Sequence, residues 1–386
     1  MDKTQKRIKE VFSFFENNDT VLGFRKLMDC VMDTQDLSLY KEVIDLTDWK
    51  EKNSEDVPGL VEKSKSILDK LANIVLHEYN SNQMIVHAKG IEKNYGRNRF
   101  RLGPISLDIK KGQVYGLVGE NGNGKTTLLR VLAKELKTTA GEIDFHFDKP
   151  TENSFDLRTH LVYIPQRTQR WYGSLKDNLK FVLSSYGVPS EENEIRVLMM
   201  IARFGLWNYK HLKWDELSSG YKMRFELART MLRQPELLLL DEPLANLDVL
   251  AQQVILEDLK SICNSITQPV ALILSSQQLY EVEKISDKVI YLKDGQYTEN
   301  NHEENEATEG QDSLIIEIDC ACERNQLTQV FKEIHLERLL FNGGVFIAYF
   351  KKDTPFFSVL EALGKHKVEV TYTRNITHST RRFFVS

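Results

Sequence analysis

A glycine-rich run constrains the fold of this chain more than any other feature of its sequence. Residues 119–127 have the sequence GENGNGKTT, which fits the phosphate-loop pattern G-x-x-x-x-G-K-[ST]. The run QVYGLVG is typical of a buried strand, and LLRVLAKEL after the loop is typical of a helix. Gly119, Gly122 and Gly124 allow successive backbone N–H groups to surround phosphate oxygens, and the helix start adds its positive dipole end. This context favours a phosphate site in an α/β fold over an ordinary glycine turn.

Four further residues in the same run are expected to bind a nucleotide. Lys125 is placed to reach the β- and γ-phosphates, and the Thr126 hydroxyl is placed to ligate Mg²⁺. Asn121 lies within the loop, and Thr127 follows in the first turn of the predicted helix. The loop is therefore predicted to hold the phosphates together with their metal ion.

Two adjacent carboxylates follow a very apolar run, LLLLDEP. Four leucines predict a fully buried strand, so Asp241 and Glu242 are expected at its carboxyl end, where α/β sheets bind ligands. Asp241 is suited to hold Mg²⁺ through its water shell. Glu242 is suited to polarise an attacking water as a general base.

Ser218 and Gly220 lie at a predicted helix start in ELSSGYKMRFELARTML. A helix start of this kind can bind an anion through its free N–H groups. Taken alone, however, this segment is more typical of an ordinary N-cap. Its neighbours in the sequence are needed to decide its role.

A phosphate loop, then YIPQR, LSSGYK, LLLLDEP and ANLD occur in this order, and together they resemble the ATP-binding cassette (ABC) ATPases. The resemblance covers roughly residues 84–298, and the order of the motifs makes it specific. It implies an α/β P-loop ABC nucleotide-binding domain that binds ATP and Mg²⁺. In this family two domains enclose two ATP molecules head to tail, each site using one chain's phosphate loop and the other chain's LSSGY-like signature.

The resemblance also assigns roles to single residues. It implies that Gln166 senses Mg²⁺ and the attacking water, and that Ser218 and Gly220 cap the γ-phosphate of ATP on the opposite subunit. Asp248 is expected to cross the dimer interface. Tyr95 is expected to stack on adenine, with Phe100 as its rival and a core aromatic as the simpler alternative for either.

Two residues depart from the family pattern. Ser219 adds a Cβ where glycine is usual, although Ser218 and Gly220 are retained. Gln277, in ILSSQQL, stands where the family has a histidine that contacts the γ-phosphate. An amide can donate a hydrogen bond there, but it cannot share a proton near neutral pH. Gln277 is therefore predicted either to slow hydrolysis, leaving more of the step to Glu242, or to be simply tolerated.

The segments before and after the cassette differ from it in the spacing of their apolar residues and in composition. Residues 1–80 carry apolar side chains at helical spacing, which predicts an all-α extension that either packs on its neighbour or docks another protein. Residues 299–313 are acidic and polar, so they predict a solvated linker. Residues 314–386 predict a small α+β domain in the order strand–helix–strand–strand–helix–strand.

Composition restricts the location and the partners. The net charge of −5 indicates no overall basic footprint, so no nucleic-acid partner is expected. Four cysteines in 386 residues fit a reducing compartment rather than a disulfide framework. No run approaches the ~18 apolar residues of a spanning helix, and the charged start is unlike a signal peptide. The chain is therefore expected to be cytoplasmic, with no direct membrane span.

Within the ABC family the chain is most similar to the ATPase subunit of a multi-subunit exporter. This implies a second ABC subunit, most simply a homodimer, and a separate integral-membrane permease on whose cytoplasmic face the chain would sit. The segment RWYGSLKDNLKF, residues 170–181, resembles the partner-facing start of the helical subdomain in such subunits. The alternative is a soluble ABC ATPase that acts as a conformational switch on a protein partner.

Overall fold

A computed structural model describes residues 3–79, 83–96, 100–148, 151, 153–277, 282, 284–299, 314–342, 344–351 and 353–377. The chain divides into two compact units. The first holds residues 1–277, 285–288 and 292–297, and the second holds residues 278–284, 289–291 and 298–386. The predicted linker lies outside the described residues except for Glu299.

Four amphipathic helices open the first unit: α1 (Lys3–Glu16), α2 (Thr20–Thr34), α3 (Leu37–Lys52) and α4 (Val57–Leu71). Aspartates set the starts of the last three, because the carboxylates of Asp19, Asp36 and Asp56 accept hydrogen bonds from the free backbone N–H groups of the first turn. Each of these three helices therefore begins at an aspartate N-cap, and Pro58 lies in the first turn of α4.

The helical prediction for residues 1–80 is wrong at its end. Helix α4 stops at Leu71, and residues 74–79 are not helical. The backbone N–H of Tyr79 donates to the carbonyl of Ile266 at 3.0 Å, and the Lys111 ammonium lies 4.0 Å from the centre of the Tyr79 ring. These contacts with distant residues compete with helix continuation, which local spacing alone cannot reveal.

The cassette contains two sheets. A three-stranded antiparallel sheet has the order β2-β1-β4, formed by β1 (Met84–Asn94), β2 (Arg101–Lys110) and β4 (Ala140–Phe145). A six-stranded sheet has the order β5-β6-β7-β3-β8-β9. Its strands are β3 (Val114–Val118), β5 (Leu161–Ile164), β6 (Leu237–Leu240), β7 (Ala271–Ser276), β8 (Lys288–Lys293) and β9 (Gln296–Glu299). The segment AGEIDF, now strand β4, was not predicted from the sequence.

Strands β6, β7 and β3 are parallel neighbours at the centre of the six-stranded sheet. Leu240 of β6 lies opposite Leu274 of β7, and Ser276 of β7 lies opposite Val118 of β3. The carboxyl ends of the three strands therefore meet at one edge, which is followed by the phosphate loop, by Asp241 and Glu242, and by Gln277.

Helices also belong to the cassette, and two of them begin at the LSSGYK and ANLD motifs. They are α5 (Lys125–Leu132), α6 (Ser154–His160), α7 (Leu175–Ser185), α8 (Ser190–Arg203), α9 (Ser219–Met231) and α10 (Val249–Cys263). None of the helices within the described ranges is long and apolar enough to cross a membrane. The α/β cassette preceded by an all-α segment is thus confirmed.

The second unit contains the predicted α+β domain. Its elements are β10 (Leu314–Cys320), α11 (Arg324–Lys332), β11 (Leu336–Asn342), β12 (Val345–Phe350), α12 (Phe356–Lys365) and β13 (Val370–Asn375). The strands form an antiparallel sheet in the order β11-β12-β10-β13. Ile316 and Ile318 of β10 share a buried core with Phe331 of α11 and Val359 of α12.

Candidate nucleotide site

The phosphate loop is built where β3 passes into α5. Gly124 caps α5 with a φ of 100°, a conformation that costs a side-chain-bearing residue free energy. At Gly119 a Cβ atom would lie 2.5 Å from the carbonyl oxygen of Leu292, so only glycine fits. Lys125 is buried, and its ammonium donates to the carbonyl of Gly119 at 2.6 Å and of Glu120 at 3.2 Å. The predicted loop residues therefore form one compact turn around the lysine.

Two aromatic residues were rivals for the adenine site, and the structure separates them. A Cβ atom at Gly124 would lie 2.6 Å from the ring of Phe100, so Phe100 packs directly on the phosphate loop. Tyr95 is 41% exposed, and the Lys93 ammonium lies over its ring, 5.5 Å from the ring centre. Phe100 is thus the aromatic that the structure brings to the loop, and the assignment of Tyr95 stays a prediction.

Asp241 is held by hydroxyl groups. Its Oδ2 atom accepts hydrogen bonds from the Thr126 hydroxyl at 2.8 Å and from the Tyr163 hydroxyl at 3.2 Å. Its Oδ1 atom accepts from the Ser275 hydroxyl at 2.8 Å. Burial, with the Asp241 charge beside it, raises the pKa of Tyr163, so this phenol stays a neutral donor. Sequence reasoning paired Thr126 with Asp241 but missed Tyr163 and Ser275.

Glu242 lies at the centre of a set of amide and ammonium groups. Gln277 Nε2 donates to both carboxylate oxygens, at 3.0 and 2.9 Å, and Gln166 Nε2 donates to Oε2 at 3.1 Å. The Lys125 ammonium is 3.6 Å from Oε1. Glu242 also has a φ of +48°, which is uncommon for a residue other than glycine. The structure therefore brings together the four residues predicted to be catalytic.

The signature residues lie in a different cluster. Ser218 and Asp248 are the N-caps of α9 and α10, and their side chains accept from the backbone N–H groups of Tyr221 and Ala251. The Ser219 hydroxyl donates to the carbonyl of Asn246 at 3.1 Å, which gives the unusual side chain a partner. Among the hydrogen bonds of the described residues, none joins this cluster to Lys125, Asp241 or Glu242.

The predicted Mg²⁺ ligands present a suitable donor set. The Thr126 hydroxyl and the Asp241 carboxylate are oxygen donors, which Mg²⁺ prefers, and they already contact each other at 2.8 Å. No group of three or more His, Cys, Asp or Glu side chains that could hold a metal occurs in the described part of the chain. Thr126 and Asp241 would supply two oxygen ligands, and Mg²⁺ in nucleotide sites commonly takes its other ligands from phosphates and water. Gln166, which was predicted to sense Mg²⁺, donates to Glu242, and its role toward the metal ion stays a prediction.

The sequence is similar to ATP-binding proteins of ABC transporters. A family model described as "ABC transporter" matches residues 102–245. The ABC transporter ATP-binding protein NatA of Bacillus subtilis is 29% identical over 201 residues, which cover 50% of this chain and 78% of that protein. The uncharacterised ABC transporter ATP-binding protein MJ0089 of Methanocaldococcus jannaschii is 31% identical over 221 residues, covering 55% and 84%.

One further relative and one solved structure extend the comparison. The Fe(3+) ions import ATP-binding protein FbpC of Fusobacterium nucleatum is 30% identical over 213 residues, covering 55% of this chain and 56% of that protein. The structure of cbiO1 from Clostridium perfringens, part of the ABC transporter complex cbiONQ, aligns with a TM-score of 0.51 at 26% identity. It covers 56% of this chain and 87% of that one. This chain therefore belongs to the family of ABC transporter ATP-binding proteins, and it is an ATP-binding ATPase of that family.

Proposed function

We propose that this chain binds ATP with Mg²⁺, closes into a dimer around two nucleotides, and thereby drives a separate membrane-spanning transport subunit. The observation that carries the proposal is the convergence of Lys125, Gln166 and Gln277 on the carboxylate of Glu242. Beside it, Asp241 contacts the Thr126 hydroxyl at the start of α5. These groups match the needs of phosphoryl transfer to water, which are positioning and charge neutralisation.

The residues have complementary roles in hydrolysis. Glu242 takes a proton from water, whose oxygen attacks the γ-phosphorus as the bond to the leaving ADP oxygen breaks. The amide of Gln277 keeps the Glu242 carboxylate in place without adding a charge. The Lys125 ammonium, which donates to the carbonyl of Gly119 here, would bind phosphate oxygens of the nucleotide. Bound Mg²⁺, held through Thr126 and Asp241, would neutralise charge on those oxygens.

A dimer is supported by the place of the signature cluster. Ser218 and Gly220 lie outside the hydrogen-bonded group around Glu242 among the described residues, so a cap on the γ-phosphate would come from a second copy. Val249 and Leu250, directly after Asp248, are 67% and 74% exposed. Exposed apolar side chains beside a predicted crossing point fit a surface that a partner covers.

A membrane subunit is supported by the segment 170–181. Tyr172 and Phe181 are 80% and 73% exposed, and large exposed aromatic side chains are enriched where proteins bind partners. The proposed place of the chain is therefore the cytoplasmic face of a membrane, held by that subunit. Co-isolation of a polytopic membrane protein with the chain is expected, whereas a purely soluble complex would favour the alternative of a switch on a soluble partner.

The direction of transport stays a prediction. The resemblance of GSLKDNL to exporter subunits supports export, but FbpC, a similar relative, is named for import. Transport assays in both orientations, with the membrane subunit reconstituted in vesicles, distinguish the two directions.

The variant Glu242→Gln tests the proposed hydrolysis. It removes the base and keeps the side-chain shape, so ATP binding should persist while turnover falls at least about 100-fold. With ATP and Mg²⁺ the variant should elute as a dimer in size-exclusion chromatography. Glu135→Gln is the matched control, because Glu135 is an exposed partner of Arg130 outside the site. Normal turnover of Glu242→Gln would overturn the assignment of the base.

A further inference from the structure

One buried hydroxyl group connects the two carboxylate-bearing residues of the site. Ser275, the next-to-last residue of β7, is 0% exposed. Its hydroxyl donates to Asp241 Oδ1 at 2.8 Å and accepts from the backbone N–H of Glu242 at 2.9 Å. A serine hydroxyl has one proton and free lone pairs, so it can make both bonds at once.

The sheet register explains why Ser275 reaches both residues. Leu240 and Leu274 lie opposite each other in the parallel strands β6 and β7, so Asp241 and Ser275 are the next pair along. Neighbouring strands are about 4.8 Å apart, a distance that one short side chain spans. A longer side chain at this fully buried position would displace its neighbours.

We propose that Ser275 is a positioning residue for ATP hydrolysis, which orients the Asp241 carboxylate and holds the backbone of Glu242. The inference rests on the roles proposed above for Asp241 and Glu242. With Oδ1 bound to Ser275, the other oxygen of Asp241 faces the Thr126 hydroxyl. A single hydroxyl thus sets the geometry of the residue that holds the metal ion and of the base.

The backbone conformation of Glu242 supports the proposal that Ser275 holds the Glu242 backbone in place. Glu242 has a φ of +48°, a conformation that persists only when its surroundings enforce it. The bond from its N–H to Ser275 is one such restraint, and the two bonds from Gln277 to its carboxylate are another. If the backbone restraint is lost, Glu242 should rotate away from the position between Gln166 and Gln277.

The variant Ser275→Ala separates positioning from simple packing. It removes the hydroxyl with little change in volume, so we expect kcat to fall about 10- to 100-fold while the KM for ATP changes less than about twofold. Amide hydrogen exchange at Glu242 should become about tenfold faster, because that N–H loses its acceptor. This second readout does not depend on turnover.

Two further variants complete the test. Ser275→Thr keeps the hydroxyl and should restore most of kcat and the slow exchange. Ser286→Ala is the matched control, because the Ser286 hydroxyl is buried and has no hydrogen-bond partner among the described residues. This control should leave both readouts unchanged. A thermal melt of each variant checks that the fold is retained.

Three outcomes would overturn the inference: unchanged kcat in Ser275→Ala, unchanged exchange at Glu242, or equal losses in Ser275→Ala and Ser286→Ala. If Ser275→Thr does not fold, the exchange rate in Ser275→Ala still decides. The proposed function fails separately, because it requires Glu242→Gln to be inactive whatever Ser275 does. An inactive Glu242→Gln with a fully active Ser275→Ala would reject the positioning role alone.

Discussion

Asp241 and Asp258 are both buried carboxylates of the cassette, and they are held in opposite ways. Asp241, 5% exposed, accepts hydrogen bonds from the hydroxyls of Thr126, Tyr163 and Ser275. Asp258, 1% exposed, pairs with the guanidinium groups of two arginines. Neutral hydroxyls leave the charge of Asp241 available for a cation, whereas guanidinium groups neutralise Asp258. The first arrangement suits a metal ligand, and the second suits a structural joint.

The joint at Asp258 connects three helices. Arg203 of α8 pairs with Asp258 of α10 and with Asp29 of α2, and Arg25 of α2 also pairs with Asp258. Burial alone would lower the pKa of Arg203, but Asp29 and Asp258 raise it above its ordinary value. Since α2 belongs to the N-terminal helices, this cluster attaches them to the cassette. The same helices reach the cassette through Asp33, which accepts from the backbone N–H of Ile266 at 3.1 Å.

The largest expected effect on stability comes from Arg203→Met, which removes the shared cation of this joint. Because Asp29 loses its cation and Asp258 keeps only Arg25, the free energy of unfolding should fall by about 3–5 kcal/mol. Turnover per folded molecule should change less than about twofold, since the joint lies outside the site. Urea unfolding and steady-state ATPase assays measure the two effects.

Arg196→Met is the matched control for this prediction. Arg196 lies on the same helix and pairs with Glu192 four residues earlier, where both side chains are partly exposed. Its removal should cost about 0.5 kcal/mol or less. Equal losses for the two arginines would contradict the structural role of the joint.

The next largest expected effect is a loss of turnover when Asp241, the carboxylate held by hydroxyl groups, is changed. Asp241→Asn keeps the shape of the side chain and removes its charge, so turnover should fall about 100-fold, or about 2.7 kcal/mol of transition-state free energy. The free energy of unfolding should change by about 1–2 kcal/mol, less than in Arg203→Met, because the hydroxyl bonds to the side chain weaken but no guanidinium loses its partner. If Asp241→Asn unfolds the protein while turnover of the folded fraction stays normal, the distinction between the two carboxylates is wrong.

The smallest expected effect comes from removing a neutral hydrogen-bond donor between the N-terminal helices and the cassette. Trp207 Nε1–H donates to the carboxylate of Asp48 in α3 at 3.1 Å. Trp207→Phe removes this donor and should cost about 1.5 kcal/mol of unfolding free energy, clearly less than Arg203→Met. Turnover should stay normal. A loss as large as that of Arg203→Met, measured in the same urea titration, would show that charge is not what strengthens the joint.

Most of the nucleotide site follows from short motifs. Lys125 and Glu242 were predicted because their neighbours in sequence form a strand, a loop and a helix that define the local chemistry. The structure adds that Gln277, the residue that departs from the family pattern, binds the Glu242 carboxylate directly. Whether this slows hydrolysis stays a prediction. Ser275, two residues before Gln277, was overlooked because a serine in an apolar strand carries no pattern of its own.

The sequence by itself predicted which residues would carry the chemistry, because phosphate binding and hydrolysis need particular side chains at fixed local spacing. It also determined the order of helices and strands in the last domain, since apolar periodicity is a local property. Only the tertiary structure decided where α4 ends, which aromatic packs on Gly124, and which carboxylates are neutralised by arginines. Each of these depends on residues far apart in the chain, such as Arg203 and Asp29, whose contact is set by packing and not by spacing.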